Sequence, residues 1–218
     1  MIISYHPQSP NSFNVLLAAA YLGLRPELRM IDVFAGAQRA PRFFSLNPMA
    51  QVPVLETSEG ILTESDAICW YLRRTALDAD HAGSWEDASL LRWLCWGSTQ
   101  LAPAFRPFQW ERLFKPTLTG QPTDEAAIEQ AVPAWTQVVG VLEQELARNG
   151  AWVLGSEMGI ADTSLAAILM HADAAGAPLQ DYERVQAWRS SVRASDAWSR
   201  ATNWIESAAD DRAAVSHT

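Results

Sequence analysis

The chain reads as a small α/β domain on a four-stranded mixed sheet, followed by an all-helical domain. Three observations predict this. Over residues 1–76, strand and helix signals alternate in the order β-α-β-α-β-β-α. Beyond Ala76 no convincing strand pattern remains, and apolar residues recur at helical spacing. Between the two lies a small, polar stretch, Leu77 to Gly83 (LDADHAG), a linker candidate that leaves the helical domain at 84–206. At 218 residues and 49% hydrophobic content the chain can bury a core without disulfide or metal staples.

The elements follow in order. Met1 to Tyr5 (MIISY) is a short apolar run stopped by His6-Pro7, as a buried strand would be. Ser12 to Leu22 is rich in alanine and leucine and is closed by Gly23, a helix with its stop signal. Glu27 to Val33 alternates, with Leu28, Met30 and Asp32 on one face, which predicts a strand. Ala40 to Leu46 is a short helix ended by Asn47-Pro48. Pro53 to Glu56 and Ile61 to Thr63 are short strands joined by a Glu59-Gly60 hairpin signal. Glu64 to Ala76 places Ile68, Tyr71, Leu72 and Thr75 on one helical face. One βαβ unit gives a parallel pair, and the closing hairpin adds antiparallel strands. In the second domain, Ser84 to Phe114 is a tryptophan-rich helix that Pro103 and Pro107 should kink or interrupt. Lys115 to Thr123 reads as a loop. Asp124 to Asn149 is a long helix with an acidic first turn that suits the helix dipole. Ile160 to Ala174, Glu183 to Ala194 and Ser195 to Ile205 are further helices, and the last dozen residues read as a frayed tail.

Charge and composition exclude several function classes. A net charge of -9 offers no footprint for phosphate backbones, so nucleic acid is not an expected partner. Val15 to Leu22 is far shorter than the roughly 20 apolar residues a membrane span needs. Cys69 and Cys95, 26 positions apart, form neither a disulfide framework nor a CxxC pattern, which fits reduced thiols in the cytoplasm. Both read as buried small side chains. The start MIISYHPQSPN has no basic segment or cleavage site of a secretory leader, also consistent with a cytoplasmic protein. His6, His81, His171 and His217 show no metal-ligand spacing, so no metal is expected. His171, on an apolar helix, reads as a core histidine, and Arg73-Arg74 as a solvated helix end. Lys115 is the only lysine among 16 basic residues.

Three segments carry chemistry. Asn47-Pro48-Met49-Ala50-Gln51-Val52-Pro53-Val54-Leu55 puts a Val-Pro pair at the entry to the third strand; it also reads as an ordinary loop-to-strand turn. Thr63-Glu64-Ser65-Asp66-Ala67-Ile68 opens a helix whose free N–H groups and positive dipole end form an anion site. The same residues also serve as a plain N-cap. Ser9-Pro10-Asn11-Ser12-Phe13-Asn14-Val15 joins the first strand to the first helix and is a good helix entry in its own right. With the element order and the helical second domain, these segments resemble the cytosolic glutathione transferases, which have a thioredoxin-like N-terminal domain and an all-α C-terminal domain. The resemblance covers about residues 1–205.

The resemblance implies a set of roles. Pro53 would be cis, turning the Val52 backbone outward to pair with glutathione as an added strand residue would. Ala50 and Gln51 replace the family's commoner Gly-Lys. Gln51, with Gln38 or Arg39, would approach the glycyl carboxylate. Ser65 would hold the γ-glutamyl carboxylate and Glu64 the ammonium group. Ser9 would activate the sulfur as a hydroxyl donor, assisted by Asn11, with Ser12 a third candidate. Ser-Pro-Asn is also similar to the Thr-Pro-Asn of bacterial disulfide-bond reductases within the family, and Asn14 stands where the family usually has Arg or Lys. The second substrate, a small apolar electrophile, would lie between the domains against Phe105, Phe108, Trp110 and Leu113, with Trp96 nearby. For Trp93 and Trp96, core or dimer packing is the stronger reading. Gly159-Ile160-Ala161-Asp162 corresponds to the family's helix-start box, lacking its hydroxyl residue, so Asp162 is expected to serve folding. The resulting expectation is a homodimeric glutathione transferase with glutathione as co-substrate. Two alternatives stay open: glutathione-dependent reduction of disulfides or peroxides, and a non-catalytic interaction module like the gamma subunit of translation elongation factor 1B.

Overall fold

The computed structural model describes residues 1–77 and 84–215. By packing, the chain divides into two units, one holding the sheet with its own helices and the last helix of the chain, and the other the helices in between. In the first, β1 (Ile2–Tyr5), α1 (Pro10–Tyr21), β2 (Glu27–Met30), a 3-10 turn (Ala37–Arg39), α2 (Pro41–Phe44), β3 (Val54–Glu56), β4 (Ile61–Leu62) and α3 (Ser65–Leu77) follow one another. The sheet has the order β2-β1-β3-β4. β1 and β2 are parallel, and β3 runs antiparallel to both β1 and β4. This is the expected thioredoxin-like four-stranded mixed sheet. Ile31, Phe43 and Val54 form one core cluster, with Val33, Ala37, Leu46 and Val52 packed against it. α1 packs on α3, and Val15, Leu16, Ile68 and Leu72 are fully buried.

The sequence groups the last helix with the helical domain, but its packing groups it with the sheet. α10 (Asp196–Val215) lies along α1, where the Phe13 and Trp198 rings meet edge to face at 4.7 Å. The helix also runs through most of the stretch expected to fray. The predicted linker and His81 lie outside the described residues apart from Leu77, which ends α3, and so does His217.

The second unit is all helical among its described residues: α4 (Trp85–Trp96), α5 (Ala102–Gln109), α6 (Lys115–Thr119), α7 (Glu125–Asn149), α8 (Ile160–Ile168) and α9 (Glu183–Arg193). Pro103 and Pro107 do not break the helical path. π turns at Gly97–Leu101 and Trp110–Phe114 flank α5, with Pro103 in its first turn and Pro107 inside it. The loop expected from Lys115 begins instead as α6. Pro116 sits in its first turn, where no donor is needed, and Gly120 closes it at φ 67°. α8 is shorter than expected, ending at Ile168 and passing into turns. Phe105 and Phe108 pack against Trp135 at 5.8 and 5.6 Å between ring centroids.

Asp162 performs the folding task expected of it. It is fully buried and accepts from the N–H groups of Val153 and Gly159, both at 2.9 Å, and from Trp188 Nε1 at 2.7 Å. The expected burial of Cys69 holds, but Cys95 is exposed, because it falls on the outer face of α4. Arg73 and Arg74 are half-buried rather than solvated, since α3 packs along α1. His171 is half-buried with Nδ1 2.9 Å from Gln109 Nε2, and desolvation holds its pKa below the usual histidine range.

Candidate glutathione site

The strand directions bring four segments to one end of the sheet. β1 ends at Tyr5, which pairs with Met30 at the end of the parallel β2. Ser4 pairs with Val54, so the start of β3 lies at that same end. Leu55 pairs with Leu62, so β4 also finishes there. The turn carrying Ser9, the segment carrying Gln38, the Val52-Pro53 pair and the Glu64-Ser65 pair all leave the sheet from this end. None of these segments is near the others in sequence; parallel and antiparallel pairing alone gathers them.

Each segment has a local reason for its shape. Ser9 is the N-cap of α1, with extended backbone (φ -87°, ψ 116°), and its Oγ accepts from the Ser12 N–H at 3.2 Å. Pro10 follows at the first helical position, where its missing donor is harmless. Because Ser9 Oγ acts there as acceptor, its proton remains available for a ligand. Ser12 is fully buried, and its Oγ accepts from the His6 N–H at 3.2 Å, closing the turn from inside. Full burial sets Ser12 apart from Ser9, although both hydroxyl oxygens act as acceptors. Asn11 is exposed in the first turn of α1.

The Val52-Pro53 peptide is cis. The loop before it is fixed by Asn47, which is buried. Asn47 Nδ2 donates to the Gln51 carbonyl at 2.8 Å, and its Oδ1 accepts from the Met49 N–H at 3.0 Å. Ala50 has a φ of 51°, a left-handed conformation that explains why glycine suits this position. Val52 is half-buried, Pro53 buried and Gln51 exposed. Among the described residues, no hydrogen bond uses the Val52 N–H or C=O. Gln38 sits in the 3-10 turn, its Oε1 buried with no partner among the described residues.

Glu64 precedes α3 with φ 66°, and its carbonyl accepts the helix's first bond from the Ile68 N–H at 3.0 Å. A bulky residue held in the left-handed region is costly and marks a position where geometry is imposed for a purpose. Ser65 is half-buried at the first position of α3, and Glu64 is exposed.

Asp32 and Phe34 had no site role in the sequence reading, which placed Asp32 on the face of a strand that in fact ends at Met30. Asp32 leaves the strand and caps a tight turn, its Oδ1 accepting from the Phe34 and Ala35 N–H groups at 3.1 and 3.0 Å. This turn sets Phe34 edge-on against the His6 ring at 4.9 Å. The signal was the Asp-Val-Phe-Ala-Gly run, in which Asp starts a turn that Gly finishes.

The apolar wall needs correction. Phe105 is 2% and Phe108 0% exposed, and both serve the core of the helical unit around Trp135. Trp110 is 42% exposed, and Leu113 is half-buried on the π turn. Among the described residues, no group of three or more His, Cys, Asp or Glu could hold a metal ion.

Comparison with known proteins agrees with the fold. Residues 8–75 match the glutathione S-transferase N-terminal domain, and residues 125–206 match the C-terminal domain. A probable glutathione S-transferase GSTF2 of Oryza sativa subsp. japonica is 30% identical over 84% of this chain and 88% of its own. The chain belongs to the glutathione S-transferase family. The solved structure of a glutathione S-transferase III in apo form superimposes with a TM-score of 0.79 at 28% identity, over 94% of this chain and 96% of that one. The family also reaches beyond transferases by name. Elongation factor 1-gamma 1 of Oryza sativa subsp. japonica is 31% identical over 70% of this chain, which spans 35% of that protein.

Proposed function

We propose that the chain is a glutathione transferase that presents glutathione as a thiolate to a small apolar electrophile. The observation that carries this reading is the convergence at one sheet end of a helix-capping serine with its proton unused, a Val52 backbone whose N–H and C=O no hydrogen bond uses among the described residues, and a helix N-terminus entered through a left-handed glutamate. Val52 pairs with the cysteinyl backbone of glutathione. Ser65 and the α3 N–H groups hold its γ-glutamyl carboxylate, and Glu64 meets the ammonium group. Gln51 and Gln38 face the glycyl end. Ser9 donates its hydroxyl proton as a hydrogen bond to the sulfur, with Asn11 assisting, which favours the thiolate. The thiol proton passes to solvent. The sulfur lone pair then forms a C–S bond to the electrophilic carbon as the leaving group departs with its electron pair. We infer a homodimer as well, which sedimentation would check.

Ultraviolet difference absorbance of the thiolate, with glutathione titrated near pH 7, tests the site. A saturable band that is lost in Ser9→Ala, with a turnover loss of about a hundredfold, is the expected result. A band that survives would move activation to Asn11. Absence of both band and binding would favour the interaction module, the reading suggested by the likeness to elongation factor 1-gamma. Turnover of a model disulfide but not of an aryl halide would assign the chemistry to reduction.

A further inference from the structure

The helices whose N-termini reach this sheet end, α1 and α3, are bridged by hydrogen bonds of a buried side chain. Asn14 lies in the second turn of α1 and is 3% exposed. Its Nδ2 donates to Asp66 Oδ1 at 3.4 Å, and its Oδ1 accepts from the Cys69 thiol at 3.3 Å. Cys69 is itself fully buried on α3. An amide with both ends engaged in a closed interior has its rotamer set.

Asp66 is the second residue of α3, directly after Ser65. A first-turn carboxylate can swing toward the N–H groups at its own helix start, where the dipole attracts it. Those are the groups an incoming carboxylate needs. A released Asp66 would compete for them and repel the ligand.

We propose that Asn14 is a positioning residue that draws the Asp66 carboxylate toward α1 and so keeps the start of α3 open for the carboxylate of glutathione. The inference rests on the reading that glutathione binds at this sheet end.

Calorimetric titration of glutathione into the wild-type chain, Asn14→Ala and Asn14→Ala with Asp66→Asn tests it. The single variant is expected to bind about tenfold more weakly, and the double variant to return to within about twofold of wild type, because the competing charge is gone. A residue that merely packs gives no such rescue, so a double variant as weak as the single one overturns the proposal. If circular dichroism shows Asn14→Ala to be unfolded, Cys69 decides. Cys69→Ala frees the amide and is expected to weaken binding about threefold, while Cys69→Ser keeps a donor and binds as wild type does. Wild-type affinity in Cys69→Ala, or in Asn14→Ala, overturns the proposal and leaves the functional reading standing. A wild-type chain that binds no glutathione overturns both.

Discussion

A single carboxylate shows how burial and hydrogen bonding contend at the residue scale. Asp162 gathers three N–H groups, each of which favours its ionised form. Desolvation is nevertheless the larger effect and holds its carboxyl above the usual range. The unfolded chain therefore ionises first, near the ordinary pKa of about 3.9. The stability Asp162 contributes is complete below that value and declines as pH rises through the higher folded value. Asp162→Asn is expected to flatten this decline. It also turns an amide donor toward the Gly159 N–H, costing about 1–3 kcal/mol. Urea unfolding at a series of pH values checks both effects. Legibility at this scale was uneven. Glu64, Ser65 and the Val-Pro pair were readable because helix starts and prolines leave local signals. The inward turn of Ser12 and the left-handed φ of Ala50 were not, since each depends on what closes over it.

Elements are tied together by a few charged side chains. Glu111, on the second π turn, accepts from the Lys115 ammonium at 2.7 Å and from the Asp124 N–H at the start of α7 at 2.9 Å. The lysine contact, followed by the Asp124 N–H, holds the Glu111 carboxyl below its usual range. A depressed carboxylate contributes stability above its unfolded pKa, and that stability is lost as pH falls through the folded value. Lys115→Met is expected to raise the folded value and move acid unfolding to higher pH, which an acid titration followed by circular dichroism would show. This link gives the only lysine a structural duty. Composition marked Lys115 as unusual but not why, because its partners come from a π turn and a helix start that periodicity does not reveal. The same limit explains the apolar wall. Phe105 and Phe108 share their face with Trp135 of α7, a neighbour 27 or more positions away in sequence.

The last helix sets the size of the first unit. α10 covers α1, with Trp198 edge-on to the buried Phe13. Ending the chain before Asp196 would expose the Phe13 side of α1 to water. Burying one large aromatic side chain is worth about 3 kcal/mol, a large part of a small domain's stability. The shortened protein is expected to lose cooperative melting of the sheet unit and its glutathione binding, while far-ultraviolet circular dichroism retains the helical signal of α4 to α9. Cooperative melting with full glutathione binding would show that α10 is dispensable.

The sequence by itself determined the order of strands and helices over residues 1–76 and the mixed sheet, and it named candidate segments for the site, because periodicity, proline, glycine and capping residues act over a few positions. The tertiary structure decided which of those segments meet, which aromatic rings are core, and where the last helix belongs. Those outcomes depend on strand direction and on surfaces far apart in the chain, and no local pattern encodes which distant surface will cover a given face.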